Sequence, residues 1–176
     1  MGFIPPALVV MGVAGCGKTS VAQAIVAGIG GRLIEGDTFH PPANIAKMRA
    51  GIPLDDADRY GWLEQLAAEL AASVAAGERP VLACSALKRR YRDQLRRTVG
   101  DLGFVFLDLS RAAAAERVGN RPGHFMPVAL VDSQFADLER PDGEAGVLGI
   151  DATLPIEAIT AEVLRTWRYD ATTDHP

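Results

Sequence analysis

The chain has 176 residues, of which 48% are hydrophobic and 23% are charged, and these are the proportions of one ordinary globular domain. Its net charge of −4 provides no positive field to attract a polynucleotide, so we expect no nucleic acid partner. The sequence contains neither a secretory signal nor an apolar run long enough to span a membrane, so we expect no membrane association.

Short apolar segments alternate with helical segments, a pattern typical of a parallel sheet covered by helices on both faces. The predicted strands cover residues 7–11, 32–35, 80–84, 103–109 and 147–151. The predicted helices cover residues 18–29, 44–50, 58–76, 88–99, 112–118, 127–138 and 155–168. Ser110 and Gly77 are the expected cap residues of two of these helices. The pattern therefore predicts an α/β fold of three α/β/α layers with a five-stranded parallel sheet.

Residues 12–19, directly after the first predicted strand, match the complete phosphate-binding pattern G-x-x-x-x-G-K-[ST]. A strand, a glycine-rich turn and a helix bring backbone N–H groups together at the positive end of a helix dipole. Lys18 can reach the β- and γ-phosphates, and the Thr19 hydroxyl can bind Mg²⁺. The motif predicts binding of a nucleoside triphosphate by Gly12, Ala14, Gly15, Cys16, Gly17, Lys18, Thr19 and Ser20.

The chain has two cysteines, Cys16 and Cys84, and their spacing is not that of metal ligands. A disulfide at Cys16 would compete with the function of the phosphate loop, which favours a reducing, cytoplasmic location. Because Cys16 lies near a predicted helix amino terminus, a lowered thiol pKa is a hypothesis, and the sequence leaves the sensitivity of the loop to oxidation open.

Residues 35–42, after the second predicted strand, contain two acids and a histidine. Ligands of open α/β sheets bind at the carboxyl ends of strands, so this segment and the phosphate loop should face one crevice. Asp37 is then placed to orient an attacking hydroxyl or to accept its proton. Glu35 could hold Mg²⁺ through water or cap the following turn. His40 could bond a polyhydroxy substrate or be a satisfied turn residue.

Residues 51–63 are rich in acids just before a predicted helix. Asp55 and Asp56 suit capping and the helix dipole, whereas Arg59 lies at the wrong end for that dipole. Recognition of a carboxylate is a task that suits such an arginine. Residues 58–61 also match the D-x-x-G of switch GTPases, but no apolar strand precedes them and no N-K-x-D occurs, so we reject a GTPase.

Ser85 and Lys88 follow the third predicted strand, where the Ser85 hydroxyl would face the same crevice with Lys88 nearby. That strand lacks the terminal aspartate of a Walker B motif. Asp108 follows a different apolar run, but strand order decides whether it reaches a metal, so we leave it out of the site.

Residues 119–127 join two predicted helices with two glycines and two prolines, and they contain Arg121 and His124. A flexible, cationic connection in a nucleotide-binding fold is typical of a mobile lid, although a solvated loop has the same composition. Arg117 and Arg121 are four residues apart, so a helix continuing past Arg117 would present both on one side. We expect one domain over residues 1–170 and a loose tail over 171–176.

Several short motifs occur in order between residue 7 and about residue 140. They are Gly-Asp-x-x-His-Pro at 36–41, Asn-Ile at 44–45, Lys-Met at 47–48, Gly-x-Pro-Leu-x-Asp-x-Asp-Arg at 51–59, Trp-Leu at 62–63, Cys-Ser-Ala-Leu-Lys at 84–88, Tyr-Arg-Asp at 91–93, His-Phe at 124–125 and Ser-Gln-Phe at 133–135. In combination with the phosphate loop, they resemble the gluconokinase family of small P-loop carbohydrate kinases. The last strand and helix match that family only in general character.

The resemblance implies that the γ-phosphoryl group of ATP is transferred to the 6-hydroxyl of D-gluconate, giving 6-phospho-D-gluconate, with Mg²⁺ as cofactor. It implies a P-loop NTPase-type fold like that of shikimate and nucleoside monophosphate kinases, with strand order 2-3-1-4-5, a mobile lid and a homodimer. By analogy Arg117 lies against adenine and Arg121 contacts the transferring phosphate. The implied catalytic residues are Lys18, Asp37 and Arg121, and the implied substrate-binding residues are Asp37, His40, Arg59, Ser85, Lys88 and His124.

The chain departs from the family pattern at four positions. Ala14, Cys16 and Thr19 stand where relatives usually carry serines, and Glu35 replaces a usual aspartate. Thr19 is chemically equivalent to serine for Mg²⁺, whereas the longer Glu35 leaves the exact metal contact open.

Two other functions remain open. The first is a kinase of another small acceptor such as shikimate or a nucleoside monophosphate, although His40, Arg59 and Ser85 suit an anionic polyol better than a nucleobase. The second is a nucleotide-dependent switch or binding module. It is disfavoured because the GTPase signatures are missing and because an acceptor loop and a lid are both predicted.

Overall fold

Five parallel strands form one sheet in the order β2-β3-β1-β4-β5 in the computed structural model, which describes residues 3–122 and 127–169. The strands are β1 (Leu8–Met11), β2 (Arg32–Glu35), β3 (Pro80–Ala83), β4 (Gly103–Asp108) and β5 (Val147–Asp151). The helices are α1 (Lys18–Ile29), α2 (Pro42–Arg49), α3 (Asp56–Ala75), α4 (Arg89–Thr98), α5 (Arg111–Gly119), α6 (Ala129–Asp137) and α7 (Ile156–Thr166). The predicted fold class and strand order are confirmed.

Two parts of the predicted organisation lie outside the described residues. They are positions 123–126 of the predicted lid, which include His124, and the tail over 171–176. Among the residues that the structure describes, no helix has the length and apolar character needed to cross a bilayer.

The central strand β1 is buried along its whole length because it pairs with β3 on one side and β4 on the other. Successive side chains of a strand point to opposite faces. Leu8 and Val10 accordingly pack with α1 and α7, whereas Val9 and Met11 pack with α3 and α4. This burial on both faces explains why the strands are continuous apolar runs in the sequence.

Capping side chains and a glycine mark three helix ends, of which two agree with the prediction. Ser110 caps α5 by accepting a hydrogen bond from the N–H of Ala113, and Gly77 adopts a φ of 77° after α3, both as predicted. Helix α3 begins two residues earlier than predicted, because the Asp55 side chain accepts from the Asp58 N–H while the Asp58 side chain accepts from the Asp55 N–H. This reciprocal pair satisfies two N–H groups and fixes the start of the helix.

A buried ion pair ties α4 to the connection between α6 and β5. The Arg92 side chain is 1% exposed, and its Nη2 donates to Glu144 at 2.7 Å and to the Glu139 carbonyl at 3.0 Å. Its Nη1 donates to the carbonyl oxygens of Ala86 and Leu87. Burial raises the pKa of Glu144, but hydrogen bonds from Arg92 and its neighbour Arg96 outweigh it and hold that pKa below its usual range. The carboxylate is therefore charged at neutral pH and depends on its arginine partners.

We expect Arg92→Met to lower the free energy of unfolding by about 3–5 kcal/mol, because it leaves the buried Glu144 charge short of its main partner. Urea unfolding at neutral pH measures the change. Arg97→Met is the matched control, since Arg97 lies on the same helix and is exposed, and we expect its effect to stay within about 0.5 kcal/mol. Equal stability of the two variants would show that the buried pair contributes nothing.

Candidate active site

The phosphate loop, residues 12–19, connects the carboxyl end of β1 to the amino end of α1. Gly12 has a φ of 144°, and a Cβ there would lie 2.8 Å from the Sγ of Cys16. Gly15 has a φ of 81°, and a Cβ there would lie 3.2 Å from a backbone carbonyl of α5. Both positions therefore need glycine. Helix α1 has no acid in its first turn, so its free N–H groups and its dipole favour an anion at this end.

Lys18 folds over its own loop. Its Nζ donates to the carbonyl oxygens of Gly12 at 3.1 Å and Val13 at 3.2 Å. The ammonium charge is thereby held beside the loop, where the phosphates of a nucleotide bind in proteins with this motif.

A cavity opens between the phosphate loop, the end of β2 and the end of α5. Its lining consists of Ala14, Gly15, Gly17, Lys18, Thr19, Ser20, Glu35, Asp37, Arg121 and Gln134. The structure thus brings together Lys18, Asp37 and Arg121, which are far apart in the sequence. Arg121 is exposed and makes no ion pair with any other residue in the described part of the chain.

The two residues predicted to hold Mg²⁺ contact each other on the cavity wall. The Thr19 hydroxyl donates to Oε2 of Glu35 at 2.5 Å. Mg²⁺ prefers oxygen ligands and is commonly bound by one or two protein groups together with phosphates and water. Within residues 3–122 and 127–169, no cluster of three or more acids, histidines or cysteines could enclose a metal. One hydroxyl oxygen and one carboxylate, from Thr19 and Glu35, fit Mg²⁺ that also binds the phosphates of a nucleotide.

His40 is buried and stacks on Trp62, with ring centroids 4.0 Å apart and the planes inclined by 17°. Burial lowers the pKa of His40 to about 4 against the opposing effect of Asp37, and Arg59 lowers it further. The imidazole is therefore neutral at pH 7, with one nitrogen that donates and one that accepts. Such a ring suits a hydroxyl ligand better than an anion.

Arg59 is buried on the first turn of α3, with a side chain that is 8% exposed. Its Nε has no hydrogen-bond partner in the described part of the chain, and its guanidinium group lies 5.5 Å from the Tyr91 ring centroid. A buried guanidinium group with an unused donor fits a carboxylate ligand. Arg59 borders a smaller cavity that also contacts Gln134, the residue at the edge of the larger cavity.

Ser85 and Lys88 were predicted to lie at the same crevice, but the structure places them in different surroundings. The carbonyl oxygen of Ser85 accepts a hydrogen bond from the Gly12 N–H at 3.2 Å, so this residue adjoins the phosphate loop. Lys88 instead binds Asp56 at 2.9 Å and lies outside the lining of the larger cavity. Asp56, predicted to complement the helix dipole, also accepts from Arg90 and Tyr91. Hydrogen bonds, first from Tyr91 and then from Lys88, hold the pKa of Asp56 well below its usual range.

Arg117 bridges two loops at the carboxyl edge of the sheet. Its guanidinium group donates to the carbonyl oxygen of Gly15 at 3.2 Å and to that of Ala152, after β5, at 3.2 Å. Helix α5 ends at Gly119, so the expectation that one helix carries both Arg117 and Arg121 is wrong. Both arginines still line one groove, and Arg121 also lines the cavity at the phosphate loop.

The expectation of a lowered Cys16 pKa is also wrong. Burial raises the pKa of this thiol, and the opposing effects of Lys18 and Arg117 are smaller. The side chain lies beneath the loop, where loss of hydration of a thiolate outweighs the attraction of the nearby positive charges.

Gln134 belongs to the Ser-Gln-Phe motif at 133–135, but it was not predicted to be a site residue. Its Oε1 accepts a hydrogen bond from the N–H of Ala14 at 2.7 Å in a buried position, which fixes the phosphate loop to α6. A signal was present in the sequence, because Gln134 follows Leu130 and Val131 at the spacing of one helix face. A polar residue on an otherwise buried face requires a partner.

We expect Gln134→Leu to lower the free energy of unfolding by about 1–3 kcal/mol and to weaken ATP binding, because the Ala14 N–H loses its acceptor. Urea unfolding and equilibrium titration with ATP measure the two effects. Gln65→Leu, at an exposed position of α3, is the matched control. Unchanged ATP affinity in Gln134→Leu would show that Gln134 does not hold the phosphate loop in its binding conformation.

Known proteins resemble this chain over most of its length. A family model described as an AAA domain matches residues 8–141. A gluconokinase of Gluconobacter oxydans (strain 621H) is 45% identical over 97% of this chain and 96% of its own length. The thermosensitive gluconokinase of Escherichia coli (strain K12) is 41% identical, covering 88% of this chain and 83% of its own. The crystal structure of a gluconokinase from Sinorhizobium meliloti 1021 is 44% identical and superimposes with a TM-score of 0.84, covering 98% of this chain and 99% of that one.

Proposed function

This chain belongs to the gluconokinase family, and on that premise we propose that it transfers the γ-phosphoryl group of ATP to the 6-hydroxyl of D-gluconate, giving 6-phospho-D-gluconate. The observation that carries the proposal is the shared cavity. A phosphate loop, a carboxylate and an exposed arginine face one space there, and a buried arginine with an unused donor borders the adjoining cavity.

The phosphate loop and α1 form the nucleotide side of the proposed site. The loop amides and Lys18 bind the β- and γ-phosphates, and Arg117 lies towards the adenine, between Gly15 and the segment after β5. Thr19 and Glu35 would hold Mg²⁺, which when bound offsets the negative charge of the phosphates.

The segment after β2 and the start of α3 form the acceptor side. Arg59 pairs with the carboxylate of the sugar acid through its unused Nε donor, and the neutral His40 bonds a hydroxyl. Ser85 and Lys88 extend this side. His124 is proposed for the same side from its place in the family motif, and it lies outside the described residues.

The reaction needs little covalent chemistry from the protein, since phosphoryl transfer depends on positioning and on stabilisation of charge. Asp37, on the turn directly after β2, orients the attacking hydroxyl and accepts its proton. Arg121 stabilises the charge that develops on the transferring group, and it reaches the site from the segment that we propose as a lid.

We also propose an oligomeric state and a location. A homodimer is proposed from the family resemblance, and light scattering coupled to size exclusion tests it. A cytoplasmic location is proposed because both cysteines are free and buried, as expected for a reducing compartment.

A coupled ADP-release assay tests the function. Mg-ATP is incubated with D-gluconate, shikimate, AMP or no acceptor, and Lys18→Met purified in the same way controls for contaminating kinases. We expect turnover with D-gluconate alone. Turnover with a different acceptor would keep the kinase fold and overturn the substrate. Slow ADP release that is independent of any acceptor would favour the switch or binding module.

A further inference from the structure

An aspartate lies between the two cations of the acceptor side. Asp137, the last residue of α6, places one carboxylate oxygen 3.7 Å from Nη2 of Arg59 and the other 3.7 Å from Nζ of Lys88. Its side chain is 27% exposed, so the charge is partly shielded from water. None of the short motifs pointed to this residue, because its partners lie 78 and 49 positions earlier in the chain.

The contact between Asp137 and Arg59 is electrostatic rather than a direct hydrogen bond. Strong charge-assisted hydrogen bonds between a guanidinium group and a carboxylate measure about 2.7–2.9 Å, well below the 3.7 Å observed here. The Nε of Arg59 is buried without a partner in the part of the chain that the structure describes. Asp137 therefore offsets the charge of Arg59 but leaves its donors available for a better-placed anion.

Asp56, the second acid beside these cations, cannot act as the counter-ion of Arg59. The Asp56 carboxylate already accepts hydrogen bonds from Lys88, Arg90 and Tyr91. Three cations, Arg59, Lys88 and Arg90, thus face two anions, Asp56 and Asp137, and the cluster carries one net positive charge. Neutralising Asp137 would raise the net charge of these five groups from one to two and would leave Arg59 without its counter-ion.

We propose that Asp137 is an internal counter-ion that competes with the acceptor's carboxylate for Arg59 and so sets the affinity for sugar acids. The inference rests on the proposed function, because it takes Arg59 as the site of the acceptor carboxylate. Asp137 keeps the buried guanidinium group compensated when no substrate is bound, and binding of the sugar acid replaces one carboxylate by another. The residue therefore acts on the acceptor KM and leaves phosphoryl transfer itself unchanged.

Steady-state kinetics of Asp137→Asn test the inference. With saturating Mg-ATP, we expect the KM for D-gluconate to fall about two- to fivefold, the range of a partly exposed ion pair, while kcat stays close to that of the wild type. Asp137→Glu, whose longer side chain can approach Arg59 more closely, should raise that KM. Asp132→Asn removes the same charge from an exposed position of α6 that pairs with Arg111, and it should change neither constant.

A second probe separates this inference from the proposed function. Acetate presents a bare carboxylate, and its stabilisation of the protein against heat, relative to chloride, reports anion binding without turnover. We expect acetate to stabilise Asp137→Asn more than the wild type. If the wild type does not phosphorylate D-gluconate but the acetate difference is present, the proposed function fails, whereas the role of Asp137 as counter-ion of Arg59 stands for a different carboxylate ligand. If D-gluconate is phosphorylated but its KM is unchanged or raised in Asp137→Asn, the counter-ion role is overturned.

Discussion

Arg121→Ala is expected to lower kcat by about 10³- to 10⁵-fold, which corresponds to about 4–7 kcal/mol of activation free energy. Arg121 is exposed, lies beyond the end of α5 and lines the same cavity as Lys18 and Asp37. An arginine in this position meets the charge that develops on the transferring phosphoryl group. The KM for ATP should change little, because the loop amides and Lys18 bind the phosphates of the ground state.

Arg111→Ala is the matched control for this variant. Arg111 is an exposed arginine at the start of the same helix, and it pairs with Asp132 away from the cavity. Arg121→Lys, which keeps the charge but loses the planar donor pair, should retain part of the rate. If kcat in Arg121→Ala remains within a few fold of the wild type, Arg121 is not part of the mechanism.

The sequence predicted those features that depend on neighbouring residues. The phosphate loop could be predicted because its glycines, Lys18 and Thr19 are spaced for one local geometry between a strand and a helix. Strand positions could be predicted because burial on both faces leaves apolar runs such as residues 104–107. The order of the strands came from the family resemblance, since strand periodicity alone does not say which strands pair.

Features that depend on distant residues could not be predicted. The pair formed by Gln134 and Ala14 spans 120 positions, and the stack of His40 on Trp62 requires the turn after β2 to pack against α3. The wrong expectation for Cys16 has the same origin. A helix amino terminus is visible in the sequence, whereas the burial that raises the pKa of Cys16 is a property of the folded core.

On the acceptor side, tertiary contacts give several polar residues partners that the sequence did not predict. Lys88 was expected near the crevice, and the structure pairs it with Asp56 at the start of α3. Asp56 was expected to serve the helix dipole, and it also accepts hydrogen bonds from α4. Arg59 was singled out because it lies at the wrong helix end for the dipole, and it is the residue whose buried donor stays unused in the described part of the chain.

Asp37→Asn is expected to lower kcat by about 10²- to 10⁴-fold, the usual contribution of a positioned general base. Asp37 lies on the 3₁₀ turn after β2, exposed to the cavity that also contains Lys18 and Arg121. Asparagine keeps the size of the side chain but cannot accept a proton, and its amide group orients the attacking hydroxyl less strongly. The ADP-release assay with D-gluconate measures the change, and the KM for ATP should stay close to that of the wild type.

Asp101→Asn provides the control for this substitution, because it makes the same chemical change at the amino ends of the strands, away from the site at their carboxyl ends. Asp101 is exposed in the turn before β4 and has a φ of 58°, a conformation that asparagine adopts readily. Loss of activity in Asp37→Asn but not in Asp101→Asn assigns the effect to the site. If Asp37→Asn keeps near-normal kcat, the carboxylate neither orients the hydroxyl nor accepts its proton, and catalysis rests on the phosphate loop and Arg121 alone.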